Sequence, residues 1–454
     1  MTQTAATELD LESLLRDDPA AGLFQVHRDA FLDPRVFERE MTHIFEGTWV
    51  FVGLESEVAQ PHDFVTRQIG RQPVVLARDG DGILRCFLNS CSHRGTLLCP
   101  DRAGNRRFHV CPYHGWTFDS AGRNLDLTDR AHGRYSEGFL AQSQNLTAVP
   151  RLASYRGFVF ASLSPEVPHL DDHLGEARLL LDLVADQGPD GLEYVPGSAS
   201  YTFDGNWKLQ FENGLDAYHF ATTHAAFVDI VRRRPPPPPP DGQTPATPPG
   251  IVAGTISVPR GHAMSWSIGA PGQGAENRPL PRDAELLERV RRAVGDERLG
   301  WMLRQRNLTI FPNLQIIDIQ SLQVRTWQPL AVNSTRMNSH CLAPVGESAA
   351  ARRFRIRQYE EFFNAGGLAS SDDNVMYDLN QIGLAARGAG PTQGYGRGMT
   401  SPPPDPAPFA ALGIDAARCT SSDAGLAFGD ETGMHAGYRE WHRLLTGRRV
   451  ADGG

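Results

Sequence analysis

Hydrophobic and polar positions divide the chain into three textures. Residues 1–30 are a polar lead-in with one short amphipathic stretch around Leu11, Leu14 and Leu15. After Asp33-Pro34, the residues Phe37, Met41, Ile44 and Phe45 recur at helical spacing and stop at Gly47. Asp accepts the free N–H groups of a first helical turn and Pro has none to satisfy, so this pair opens a helix. From 48 to 163 the pattern shortens. β-Branched or aromatic runs at 49–52, 74–77, 83–88 and 158–163 alternate with Gly, Asp, Asn and Pro. That alternation predicts a compact, mostly β domain.

Beyond 164 the two periods mix. Helical spacing marks 172–186, 206–230, 283–304 and 350–364, and strand-like runs mark 251–258, 307–329 and 335–343. In the last helix Ile356, Tyr359, Phe362 and Phe363 share a face, and Gly366-Gly367 closes it. Helices and strands in blocks predict an α+β second domain. The expected organisation is an N-terminal segment over 1–47 packing on the second domain, a β domain over 48–163, and the α+β domain over 164–454. A proline run at 235–240, continuing to 248–249, reads as a surface loop in polyproline II conformation, as does 401–408.

Composition excludes several functions. Hydrophobic residues make up 40% and charged residues 21%, the balance of a folded enzyme with a sizeable core. With 44 Lys and Arg against 53 Asp and Glu, the net charge of −9 disfavours binding to a nucleic-acid backbone. No apolar run approaches the roughly 18–20 residues that span a bilayer. Met1-Thr2-Gln3-Thr4-Ala5 lacks the basic and apolar regions of a secretory signal, so a cytoplasmic, reduced protein is expected. Six cysteines are too few for a disulfide framework in a chain of this length, and point to metals or catalysis first.

Two constellations carry the chemistry. In the β domain, Cys91-x-His93 and Cys111-x-x-His114 are separated by 17 residues. Each pair occupies a tight turn that aims two side chains at one small volume, and two such turns supply four ligands. Four nitrogen and sulfur ligands suit structural zinc or an iron–sulfur cluster. Gly, Pro and aromatic residues beside the turns bring backbone N–H groups towards inorganic sulfide. The sequence Cys91-Ser92-His93-Arg94-Gly95 followed by Cys111-Pro112-Tyr113-His114-Gly115-Trp116 resembles the Rieske [2Fe–2S] motif. There two thiolates hold one iron and two imidazoles the other, which raises the reduction potential. Cys86, Cys99 and His109 read as packing, loop or surface residues.

The second constellation lies in 206–224, where Glu212, Asp216, His219 and His224 interrupt an apolar segment. Asp216 and His219, three apart, are neighbours on one helical face, so the carboxylate can accept the free N–H of a metal-bound imidazole. His219 and His224, five apart, lie about 140° from each other on an ideal helix. One metal therefore requires a distortion or a helix end between them. Two His and one carboxylate with open positions form the ferrous site that activates O₂.

These motifs, with Ile69-Gly70-Arg71-Gln72-Pro73, Asn206-Trp207-Lys208-Leu209, Glu212-Asn213-Gly214 and Gly346-Glu347-Ser348, make the chain resemble the large (α) subunit of Rieske non-heme iron aromatic-ring-hydroxylating oxygenases. The resemblance covers about 30–385 and is strongest to the benzoate, toluate and anthranilate 1,2-dioxygenase branch. It implies a mostly β Rieske domain and an α+β, helix-grip-like catalytic domain with an antiparallel sheet. It implies a [2Fe–2S] cluster on Cys91, His93, Cys111 and His114, and mononuclear Fe(II) on His219, His224 and a third ligand. Phe363 through Asp373 resembles the family stretch of an aromatic, a glycine pair and two aspartates, the second of which binds iron. That implies Asp373 as ligand and Asp372 as helix cap, with the swapped assignment as the alternative.

The activity implied is cis-dihydroxylation of an aromatic ring, of a benzoate-like acid, with O₂ and two electrons. The alternative is single hydroxylation of salicylate or another substituted aromatic. No dinucleotide fingerprint follows a strand, so NAD(P)H oxidation falls to a separate flavin reductase, with or without a ferredoxin. The resemblance also implies a homotrimer, with or without a small β subunit (α3β3). In it His114 of one subunit faces Asp216 and His219 of its neighbour, and Asp216 is the bridge. Asn213 is expected to line the iron pocket, and Arg304, Arg306 and Asn307 are the available donors for a substrate carboxylate. Two rivals remain: a pure electron carrier, which would lack mononuclear iron, and a cluster-based sensor, which would need a recognition face.

Overall fold

The computed structural model describes residues 9–233, 252–268, 277–392, 394–423 and 429–448. The proline run at 235–249 lies outside these residues. The chain divides into two compact units, one over 45–173 and one joining the N-terminal segment to 174–454. Among the described residues no helix is long and apolar enough to cross a membrane.

The 45–173 unit is built from small antiparallel sheets. Asp63–Ile69, Gln72–Arg78 and Leu84–Leu88 form one sheet with Ala103–Asn105, and Phe108–Val110, Thr117–Asp119 and Asn124–Asp126 form another. Phe64, Val75, Phe87, Trp116, Phe118 and Leu127 pack between them with Cys91, Cys99 and Cys111. The two metal-motif turns therefore rest on an apolar floor. His109 departs from the surface role expected of it. It sits on the 108–110 strand, is 2% exposed, and has Nδ1 3.1 Å from Cys99 Sγ. The reason is strand alternation: Phe108 and Val110 point outwards, so His109 points in.

The other unit centres on a nine-stranded antiparallel sheet. Its order is Leu192–Tyr194, Ser334–Pro344, Leu322–Ala331, Leu314–Asp318, Gln305–Ile310, His262–Ile268, Val252–Val258 and Cys419–Asp423, with Ala199–Phe203 also pairing with the 334–344 strand. The run at 307–329, read as strand from its β-branched content, is three strands and their connections. Helices Trp207–Asn213, Phe220–Thr223 and Ser370–Leu384 carry the site residues. The helix predicted over 206–230 breaks at 214–219. In the N-terminal helix Pro34–Glu40, the Asp33 carboxylate accepts from Arg35 N, as the Asp-Pro pair predicts. The fully buried Glu40 accepts from Lys208 Nζ at 2.5 Å, Trp207 Nε1 at 2.9 Å and Trp441 Nε1 at 2.7 Å. Three donors satisfy this buried carboxylate and tie the N-terminal and C-terminal helices to the 207–213 helix.

Candidate metal centres

The turns that carry Cys91 and Cys111 share one backbone design. Cys91 N–H donates to Thr96 O at 2.9 Å and Gly95 N–H to Cys91 O at 2.8 Å. Cys111 N–H donates to Trp116 O at 2.8 Å and Gly115 N–H to Cys111 O at 3.0 Å. Gly95 and Gly115 stand at φ +74° and +72°, left-handed conformations that favour glycine. Both cysteines are buried, and His93 and His114 are partly exposed. The two sulfurs neighbour each other, and so do the imidazoles, whose ring centroids are 4.6 Å apart. His93 stacks on Trp116 at 4.5 Å, and its Nδ1 is buried without a hydrogen bond.

This separation into a sulfur pair and a nitrogen pair bears on the metal. Tetrahedral zinc draws all four ligand atoms to within roughly 3.3–3.8 Å of one another. Among the described residues, the one group gathered tightly enough for a single ion is a different one, described below. Two irons with inorganic sulfide between them fit the sulfur end and the nitrogen end separately. Burial raises the Cys91 thiol, the N–H groups of His93 and Arg94 oppose it, and the Cys111 sulfur adds to the rise. Burial, then His114 and Arg94, lower His93, keeping it the neutral imidazole that a ligand must be.

The second centre is assembled from three segments. His219 and His224 sit at the two ends of the single-turn helix Phe220–Thr223, which supplies the helix end that their spacing required. Asp373 lies in the first turn of the helix Ser370–Leu384. Their ligand atoms all lie within 4.8 Å of one another. His224 Nε2 is 3.2 Å and His219 Nε2 3.5 Å from Asp373 Oδ1, which also accepts from Asn213 Nδ2 at 3.0 Å. His224 and Asp373 are buried and His219 is half-buried. Burial opposes ionisation of Asp373, but His219 and His224 overcome it and hold the carboxyl well below its usual range. Burial likewise lowers His219, but Asp216 and Asp373 reverse this and raise it to about 10. The two carboxylates thus favour positive charge beside His219, which must give up its own proton before it can act as a ligand to a bound cation.

The outward nitrogens each face a carboxylate, within hydrogen-bond reach for His224 and just beyond it for His219. His219 Nδ1 is 3.6 Å from Asp216 Oδ1, which accepts the His219 backbone N–H at 3.2 Å. His224 Nδ1 is 3.4 Å from Asp372 Oδ2. Each imidazole therefore turns Nε2 inwards and Nδ1 towards a carboxylate, the arrangement that orients metal-binding histidines. Two expectations change here. The Asp216–His219 contact comes from a turn, not a helical face. Asp372 is not the helix cap: Ala369 holds that position and Asp372 faces His224.

A cavity that is partly open to solvent adjoins the trio. Asn213, Phe220, Asn307, Ile317, Phe362 and Arg325 are among its lining residues. Of the three expected carboxylate donors only Asn307 faces it. Arg306 alternates to the opposite face of its strand, opposite Asp318 in register, and pairs with that carboxylate. Arg304 stacks on Trp301 at 3.5 Å and on Trp266 at 4.8 Å. Arg325 went unnoticed in the sequence; its signal is one charged residue in the apolar run Leu322-Gln323-Val324-Arg325-Thr326-Trp327.

Behind Asn213, Glu212 accepts from Tyr395 Oη at 2.6 Å and from Tyr438 Oη. Burial raises Glu212 to about 7, against the lowering effect of these two phenols. The folded protein then keeps a proton that the unfolded chain releases near the ordinary carboxylate range, so this group costs stability as pH rises from about 4.5 to about 7. Glu212→Gln is expected to gain on the order of 2 kcal/mol over the parent at pH 8 and almost nothing at pH 4. Denaturation of both proteins across that range checks it, and parallel pH trends would contradict it.

Two metal-binding constellations, a small β unit and a large antiparallel α+β unit define a two-centre oxygenase subunit. Residues 48–142 match the Rieske [2Fe–2S] domain, and 192–446 match the ring hydroxylating alpha subunit (catalytic domain). The chain belongs to the ring-hydroxylating oxygenase α subunits, which are oxidoreductases. It is 40% identical to the toluate 1,2-dioxygenase subunit alpha of Pseudomonas putida, over 86% of this chain and 85% of that one. It is also 40% identical to the anthranilate 1,2-dioxygenase large subunit of Acinetobacter baylyi, over 81% and 79%. Naphthalene 1,2-dioxygenase from Rhodococcus sp., solved with indole bound, superposes with a TM-score of 0.78 at 26% identity, covering 93% and 95%. In this family the first domain carries a [2Fe–2S] cluster, the catalytic domain binds mononuclear iron, and electrons come from a reductase.

Proposed function

We propose that this chain is the terminal oxygenase subunit that cis-dihydroxylates a benzoate-like aromatic acid. The observation that carries the reading is the His219, His224 and Asp373 trio beside an aromatic-lined cavity, in a chain 40% identical to aromatic-acid 1,2-dioxygenase large subunits. The overall reaction adds both atoms of O₂ to adjacent ring carbons and consumes two electrons and two protons. NAD(P)H, through a partner flavin reductase with or without a ferredoxin, supplies the electrons.

Residues 48–163 form the iron–sulfur domain in this reading, with Cys91, His93, Cys111 and His114 as cluster ligands. Residues 164–454 form the catalytic domain, with 1–47 packed on it, and His219, His224 and Asp373 hold the iron. When bound, the iron supplies open coordination positions for O₂ next to the substrate ring. Asp216 and Asp372 fix the tautomers of the two imidazoles, so that each presents a bare Nε2 to the metal. Asn213 donates to Asp373 and holds the carboxylate in place. Phe220, Ile317, Phe362 and Phe363 exclude water and hold the ring. The assembly is a homotrimer, with or without a β subunit. His114 of one copy faces Asp216 and His219 of the next, making Asp216 the bridge between centres.

The test is product analysis with purified protein, reductase and NAD(P)H on a panel of aromatic acids and neutral aromatics. A cis-dihydrodiol carboxylic acid is expected, with both hydroxyl oxygens from ¹⁸O₂. A phenolic product with one labelled oxygen would instead identify a monooxygenase, and cluster reduction without any oxygenation an electron carrier.

A further inference from the structure

We propose that Arg325 is the anchor for the substrate's carboxylate. The inference deepens the reading of the cavity as an aromatic-acid site and rests on it. Arg325 lines that cavity and is 2% exposed. Its guanidinium donates from Nη2 to Ser370 Oγ at 2.7 Å, while Nε is buried and has no hydrogen-bond partner. Among the described residues it has no carboxylate within ion-pairing distance; the Phe363 ring lies 5.8 Å away, and Tyr201, Tyr359 and Tyr377 are near enough to feel its charge. A buried charge without a counter-ion is costly, and a fold retains one where something else brings the opposite charge.

The two other buried arginines nearby show the contrast. Arg306 and Arg278 share the carboxylate of Asp318 on the opposite face of the sheet. Arg325 alone of the three lines the cavity. Its strand register explains why. Asn307 stands opposite Ile317 and Gln315 opposite Arg325, which puts all four residues on one face. Asn307 also lines the cavity, and its Oδ1 is buried without a partner. Arg325 and Asn307 therefore line the cavity together with the apolar Ile317, Phe362 and Phe363.

Position and charge fit an aromatic carboxylate. Ser370, which holds Nη2, and Asp373 lie in the first turn of one helix, and Arg325 and Asp373 line the same cavity. An acid gripped there keeps its ring within reach of the trio. Arg325 has no carboxylate of the protein within ion-pairing distance among the described residues. A carboxylate supplies the missing counter-charge, and the planar guanidinium meets its two oxygens with parallel N–H donors.

Anaerobic titration calorimetry of the iron-loaded protein tests this, with benzoate and benzamide, a neutral molecule of nearly the same shape, as paired probes. The native protein is expected to prefer benzoate by at least about tenfold, and Arg325→Gln to weaken benzoate about 100-fold while changing benzamide less than about threefold. Should Arg325→Gln not fold, Arg325→Lys keeps the charge without the fork and is expected to lose about tenfold for benzoate alone. Unchanged benzoate affinity in either variant overturns the anchor. A native protein that oxygenates benzoate while Arg325→Gln does so with the same KM refutes the anchor and leaves the aromatic-acid reading standing. A native protein that binds and oxygenates only neutral aromatics refutes both.

Discussion

Asp373→Ala is expected to lose its mononuclear iron and all product formation while keeping an unaltered iron–sulfur spectrum. Asp373 Oδ1 is the point on which both imidazoles converge, at 3.2 and 3.5 Å, and the residue is 5% exposed. Two neutral nitrogens without the carboxylate offer a divalent cation no charge compensation, and a buried cation needs it. Iron content after purification is expected to fall by more than about tenfold, the lower bound set by what even supporting residues contribute. The four proposed cluster ligands lie in the other unit of the chain, so their spectrum serves as an internal control. Asp372→Ala is expected to retain iron and lose activity more mildly, because Asp372 faces the outer nitrogen of His224. Full iron in Asp373→Ala together with loss in Asp372→Ala would exchange the two roles.

Asp216→Asn is expected to keep both metal centres and lose turnover by about 10–100-fold. The amide retains the acceptor that binds the His219 backbone N–H at 3.2 Å, so the turn at 216–219 keeps its shape. It loses the negative charge that stands 3.6 Å from His219 Nδ1. If Asp216 connects the two centres, reductase reduces the cluster at the normal rate, and the loss appears in single-turnover reoxidation of that cluster. A role confined to holding the turn predicts unchanged turnover, because the amide keeps that acceptor. Normal product formation in this variant would refute the bridge.

The cluster motif was readable without a structure because its chemistry is local. Cys91 with His93, and Cys111 with His114, are fixed within turns of five residues, and Gly95 and Gly115 are the residues such turns require. The spacing of His219 and His224 was equally telling: it demanded a helix end, and each histidine stands at one. The Asp33 cap was legible for the same reason, whereas the two units divide after His173, ten residues beyond the expected bound at 163.

The resemblance chose Asp373, which the structure does bring to both histidines, but the cap role read for Asp372 failed because residues far apart in the chain decide it. Asp372 and Asp373 are adjacent and chemically identical. Only the direction of the 370–384 helix towards His219 and His224 sends one carboxylate to Nε2 and the other to Nδ1. Strand alternation marks two faces of 305–310 and 322–331, but which face looks at the cavity depends on the helices laid across the sheet. That choice removed Arg306, placed Arg325, and turned His109 inwards on its own small sheet. The sequence alone therefore settled which kinds of metal chemistry the chain supports, since ligand type and short spacing are covalent properties. Tertiary packing decided which carboxylate faces each imidazole nitrogen and which arginine lines the cavity, because those depend on burial and on how segments distant in the chain are brought together.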